Sequence, residues 1–159
     1  MEIDKVLEQI HAGVQFGVTM EADVIKPKGK FVPVFDAGAG EPSSFDDMGY
    51  PIGVSNQYEW VDYKGIDKNS FGVIIHGDSM SPIINEGDLA IIKPSETLEN
   101  GSFCFAYSAD GNRRVKRYYR YGETIVFRSE NPKHKDIEIN AKNTDSVRLY
   151  RVTRIIKKV

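Results

Sequence analysis

The stretch from Phe71 to Lys93, FGVIIHGDSMSPIINEGDLAIIK, sets a serine between two apolar, β-branched runs, Val73 to Ile75 and Leu89 to Ile92, that read as strands. Gly, Asp, Ser and Pro fill the interval, so it reads as a turn. Ser79 stands where the chain leaves the first strand, and Pro82 suits the first turn of a short helix beginning close after it. A hydroxyl placed there would lie beside free backbone N–H groups. By itself Gly-Asp-Ser-Met is a weak signal, because most such serines only cap or turn the chain. A nucleophilic Ser79 also needs a base. His76 falls within or at the end of the strand, where neighbouring positions point to opposite faces, so its closeness in sequence does not make it the partner. The hydrolase elbow Gly-x-Ser-x-Gly fails because position 81 is serine, and no Ser-x-x-Lys occurs. A lysine supplied by another strand remains. Lys116, in Arg113-Arg-Val-Lys-Arg-Tyr-Tyr119, is the best candidate. A lysine in a basic strand is ordinarily solvated, and a free one is less than about 0.1% neutral at pH 7. To act as a base, Lys116 must be desolvated.

Three further stretches bear on this pair. Gly87-Asp88-Leu89 opens the second apolar strand, Val115-Lys116-Arg117 lies some 37 residues after Ser79, and Asp36-Ala-Gly-Ala-Gly-Glu-Pro42 is a run of small residues. Such a run reads as a flexible hinge, and equally as backbone able to approach another surface closely, as a peptide bond must when it enters an active site. With Gly77-Asp-Ser-Met80 and Ala39-Gly40-Glu41-Pro42, in this order and spacing, the chain resembles the LexA-type self-cleaving repressor family, which includes phage repressors and UmuD-like proteins. The resemblance covers roughly Val32 to Val159.

What the resemblance implies is specific. The fold would be that of a LexA C-terminal domain, acting as an intramolecular serine peptidase with Ser79 as nucleophile and Lys116 as general base. Backbone N–H groups of Asp78, Ser79 and Met80 would hold the oxyanion, and the bond cut would be Ala39-Gly40. No cofactor is implied. The partners would be a second copy of the chain, in a homodimer, and the RecA filament on single-stranded DNA as inducer. Operator DNA would be reached only through a helix-turn-helix domain, and no complete one is read in this chain. The expected role is therefore the C-terminal domain of an SOS or phage-type transcriptional repressor, inactivated by its own cleavage. The alternatives are a UmuD-like DNA-damage protein activated by trimming of its arm, a dimerisation module that does not cleave, or a peptidase acting on other proteins in the manner of signal peptidases.

Composition bounds these readings. At 159 residues the chain suits one domain, or one domain with an arm. It has no apolar stretch of membrane-spanning length, and its acidic, amphipathic start, MEIDKVLEQIHAGV, is neither a secretory signal nor a transit peptide, so a cytoplasmic protein is expected. The one cysteine, Cys104, lies in an apolar run as a structural thiol would. His11, His76 and His134 are too scattered to suggest a metal site. Net charge is only -2, but Phe31 to Tyr63 carries six acids and no Lys or Arg, whereas Arg113 to Val159 carries fourteen bases and five acids. Those bases are dispersed through alternating strands, which favours solvated strand faces over a nucleic-acid patch.

The elements that must position the pair follow in order. Ile3, Val6, Leu7, Ile10 and Val14 predict one short helix over Glu2 to Val14, followed by a polar linker or arm to about residue 30. Phe31 to Phe35 contains Pro33 and reads as an edge strand at most. An acidic loop over about residues 36–50 would carry the cleavage site. Tyr58 to Tyr63 predicts a short strand with Trp60 in core or interface packing. Gly101 to Ser108 and Arg113 to Arg120 flank a hairpin turn at Asp110-Gly111-Asn112. Thr124 to Arg128, Ile137 to Ile139 and Val147 to Ile156 complete the chain. The expected architecture is mostly β, twisted sheets or a partly open barrel of short strands, with residues 1–30 as an arm and 31–159 as the catalytic and dimerising domain.

Overall fold

The computed structural model describes residues 29–36, 44–45, 51–52, 57–62, 64–108 and 111–159. The helix expected at Glu2 to Val14, the Ala39-Gly40 bond and Asp110 of the hairpin turn lie outside the described residues. Eleven strands occur among the described residues: β1 Lys30–Phe35, β2 Ser44–Phe45, β3 Pro51–Ile52, β4 Gln57–Val61, β5 Phe71–Ile74, β6 Leu89–Ile92, β7 Phe103–Ser108, β8 Arg113–Tyr121, β9 Thr124–Arg128, β10 Ile137–Asn140 and β11 Val147–Ile156. A 3-10 turn at Ala141–Ser146 precedes β11. Nine strands form one open sheet in the order β10-β9-β8-β7-β11-β6-β5-β1-β4, and β2 pairs with β3. The mostly β expectation holds, and among the described residues the sheet is open, with β10 and β4 at its two edges.

Apolar runs became strands buried on both faces. Alternate residues of a strand point to opposite faces, so a continuous run needs two apolar surroundings. From β5 and β6, Phe71, Val73, Ala90 and Ile92 join Phe105, Val115, Tyr150 and Val152 in the main core. Leu89 and Ile91 face the other way, against Val32, Val34 and Val61. Phe71 anchors the main core through edge-on contacts with Phe35, Phe105 and Tyr150, ring centroids 5.9–6.4 Å apart. A third cluster packs Cys104, Ala106, Tyr118, Ile125 and Phe127. Burial pushes the Cys104 thiol up to about 12, which keeps it neutral and suits a structural role.

β11 joins the two halves of the sheet. Val147 to Arg151 pair with β7, Val152 to Ile156 pair with β6, and the register shifts between Val152 and Arg154. One strand therefore fixes β5 and β6, which flank Ser79, relative to β7 and β8, which carry Lys116.

Three local expectations are corrected. β1 is an inner strand, with β4 outside it at the edge, and it pairs in parallel with β5. Pro33 is tolerated because that parallel ladder begins only at Val34, beyond it. Of the core or interface packing expected of Trp60, the core is excluded: on the edge strand β4 it is 42% exposed, with Phe31 edge-on at 5.0 Å. No helix follows Ser79. Residues 79–83 form turns, with single backbone bonds from Ser81 N to Asp78 O (3.0 Å) and from Ile84 N to Met80 O (2.9 Å). Pro82 disfavours the helical region for Ser81 before it and donates no N–H, so the turn does not propagate.

Asp88, in the loop that enters β6, is buried and accepts from Asn85 N (2.8 Å), Lys157 Nζ (2.7 Å) and Lys158 N (3.0 Å). Burial alone would raise its carboxyl, but these donors outweigh it and hold Asp88 below the usual carboxylate range. The contact ties the C-terminal segment to the base of the Ser79 loop. Asp88→Asn is expected to destabilise the fold by about 1–3 kcal/mol at neutral pH, measured by urea melts. A depressed carboxyl contributes stability above its unfolded pKa and loses it as pH falls through the folded one, so the gap between variant and wild type should close in acid. A gap independent of pH would mean that the charge of Asp88 is not what stabilises.

Candidate active site

Ser79 and Lys116 come from opposite halves of the sheet and line one cavity of about 350 Å³. The serine arrives on a loop closed at its base by two backbone bonds, Ile75 N to Asp88 O (2.9 Å) and Gly87 N to Ile75 O (2.8 Å). Gly77 turns the chain out of β5 with φ of +81°, a conformation that suits glycine. Met80 and Ile84 bury their side chains in the main core and pin the loop from below. Ser79 itself is half-buried. Its hydroxyl and the N–H groups of Ser79 and Met80 make no hydrogen bond among the described residues. Asp78 is exposed and, by its hydrogen bond with His134 first of all, held below the usual carboxylate range.

Lys116 lies in β8 opposite Cys104 of β7. It is only 8% exposed, and its Nζ donates to Ser129 Oγ at 2.8 Å. Desolvation, and after it the neighbouring Arg114 charge, push the Lys116 amine below the ordinary lysine range. Arg113, Arg114, Lys135, His76 and His134 also line the cavity, and among the described residues no carboxylate lines it. Among the described lining residues an anion would meet positive or neutral groups, while the carboxylates of Asp36 and Asp78 are engaged by His76 and His134. The direction of the Lys116 shift is the one a lysine base requires.

His76 reaches the same cavity, but its Nε2 donates to Asp36 Oδ1 at 2.5 Å, with Glu86 3.9 Å from Nδ1. It is engaged at the end of β1 and not with Ser79. Among the described residues no three of His, Cys, Asp and Glu are grouped as a metal site.

Residues 129–134 belong to the site, and sequence reasoning missed them. Asn131 N donates to Ser79 O (3.0 Å), Asn131 Nδ2 to Asp78 O (3.0 Å), and His134 Nε2 to Asp78 Oδ1 (2.8 Å). The Arg117 guanidinium, over the Phe103 ring at 4.1 Å, pairs with Glu130. Ser-Glu-Asn-Pro after a strand reads only as a turn. The observed register supplies what the residue types do not: with Arg117 opposite Arg128, the next position beyond β9 that faces Lys116 is 129.

Comparison with known proteins narrows the chemistry. A sequence model of the Peptidase S24-like family matches residues 33–150. The chain is 32% identical over 102 residues to LexA repressor 1 of Geobacter sulfurreducens, covering 64% of this chain and 50% of that protein. It is 30% identical over 148 residues to the LexA repressor of Geotalea uraniireducens, covering 92% of this chain and 70% of that repressor. Over 69 residues it is 41% identical to the LexA repressor of Pelagibacter ubique, spanning 31% of the latter. The chain thus spans about a third to 70% of the length of these relatives. No helix among the described residues is long and apolar enough to cross a membrane.

Proposed function

This chain belongs to the Peptidase S24-like family, and from that premise we propose that it is the self-cleaving, dimerising C-terminal part of a LexA-like transcriptional repressor. The observation that carries the reading is the buried Lys116, its amine pushed below the ordinary lysine range, lining the same cavity as Ser79, where no carboxylate lies among the described lining residues.

The reaction runs in two halves. Neutral Lys116 Nζ takes the Ser79 hydroxyl proton as Oγ bonds to the Ala39 carbonyl carbon. The oxygen of that carbonyl becomes an oxyanion, met by the N–H groups of Ser79 and Met80, with the backbone of Asp78 completing the turn. As the C–N bond to Gly40 breaks, Lys116 returns the proton to the leaving amine. Water, deprotonated by the again neutral Lys116, then attacks the acyl-serine, frees the Ala39 carboxylate and restores Ser79. Because the bond cut belongs to the same chain, its docking is intramolecular and its effective concentration is high. Docking is the regulated step, promoted by the RecA filament on single-stranded DNA, and cleavage parts the dimerising domain from the DNA-binding part of the repressor.

The test is the intact mass of the purified protein after incubation at near-neutral and alkaline pH, with and without activated RecA filament. Two fragments that meet at Ala39-Gly40, formed faster at the higher pH, are expected. A chain that stays whole under all four conditions would replace self-cleavage with a dimerisation module that does not cut.

A further inference from the structure

The dyad reading says what Lys116 does but not what aims it. A lysine side chain has four rotatable bonds, and its neutral amine has one lone pair, which must meet the Ser79 proton. Among the described residues the amine has one hydrogen-bonding partner, the Ser129 hydroxyl at 2.8 Å. Both residues are buried. Their meeting is built into the sheet, since the β8–β9 register continued one step past Arg117 and Arg128 sets Lys116 opposite Ser129, and opposed residues share a face.

Resting on the assignment of Lys116 as the base, we propose that Ser129 is a positioning residue that holds one N–H of the Lys116 amine and thereby fixes the direction of its lone pair. A hydroxyl suits this task better than a carboxylate would. It accepts from an amine without supplying the negative charge that would keep it protonated. The segment that carries Ser129 is itself held at both ends of the site: Glu130 pairs with Arg117, next to the base, and Asn131 binds the carbonyls of Asp78 and Ser79. A single stretch thus sets the spacing between base and nucleophile. Arg114 on its own strand is the charge that bears on Lys116, and Arg113, Lys135, His76 and His134 also line the cavity. The guanidinium and ammonium groups among them cannot accept from the amine as Ser129 does, and the described hydrogen bonds of both histidines go to carboxylates, His76 to Asp36 and His134 to Asp78.

The experiment compares self-cleavage rates of the wild type, Ser129→Ala and Ser129→Thr from about pH 6 to 11, with thermal melts of each and NMR titration of the Lys116 Cε signal. For Ser129→Ala the plateau rate at high pH should fall about 10- to 100-fold, since the base is present but no longer aimed. Its midpoint should move to lower pH, because the ammonium has lost its acceptor. Ser129→Thr, which keeps the hydroxyl, should restore most of the plateau. A merely structural serine would lower the melting temperature without moving the Lys116 titration. The proposal is overturned if Ser129→Ala keeps the wild-type plateau and titration, or if Ser129→Thr is as slow as Ser129→Ala. Lys116→Ala separates the two levels: if it cleaves like the wild type, the base assignment itself fails. If it is inactive while Ser129→Ala is unchanged, the base stands and only the role of Ser129 is lost.

Discussion

Lys116→Met is expected to slow self-cleavage by about a thousandfold or more and, in the same molecule, to raise stability by about 1 kcal/mol. The first effect is the loss of the general base. The second follows from burial, because Lys116 is 8% exposed and no carboxylate lies beside it among the described lining residues of the cavity, so its charged form is desolvated without a counter-ion there. Methionine fills a similar volume without that penalty. The sign can be checked against pH. Lys116 has a folded pKa below its unfolded one, so between the two values the unfolded chain binds more protons and wild-type stability rises with pH. Below both values the charged lysine is most unfavourable to the fold. The advantage of Lys116→Met should therefore be largest at neutral pH and shrink as pH climbs toward the ordinary lysine range. Urea melts at several pH values, beside cleavage assays, measure both effects. A variant less stable than the wild type at pH 7 would show that the ammonium is well accommodated and would remove the case for a neutral base.

Ser79→Ala is expected to lower cleavage by about ten-thousandfold or more at every pH, because the attacking oxygen is removed while the other hydroxyl among the described lining residues of the cavity, Ser129, stays engaged as the acceptor of Lys116 Nζ. The wild type should instead show a rate that climbs about tenfold per pH unit while the neutral fraction of Lys116 grows, and that levels off above its folded pKa. The two profiles together distinguish a nucleophile from a base. Removing the serine flattens the whole curve near zero, whereas a damaged base changes its height or midpoint. Residual cleavage of Ser79→Ala that still rises with pH would point to hydroxide or another residue as the attacking group.

Strands were legible where side-chain chemistry alone decides them. Leu89 to Ile92 is apolar at every position, and it became a strand buried on both faces. Cys104 between Phe103 and Phe105 announced its burial for the same reason. Trp60 misled because its size argues for burial wherever it falls, yet β4 ended as the edge strand and left it half in solvent. Pro33 misled in the opposite direction. It reported that one N–H was missing, and only the short parallel ladder that begins at Val34 shows why an inner strand could do without it.

The sequence by itself determined a mostly β chain with a serine in a tight turn and a lysine on a distant strand, because hydrophobic period and turn chemistry are local properties that a few neighbouring residues dictate. Only the tertiary structure decided that Lys116 is buried, that it faces Ser129, and that Asn131 grips the backbone of Asp78 and Ser79. Desolvation depends on what packs from other strands, and the register that opposes residues 116 and 129 depends on how β8 and β9 pair. Neither can be read from residue types, since Lys116 in a run of arginines is chemically the same residue whether its amine lies in water or in the cavity.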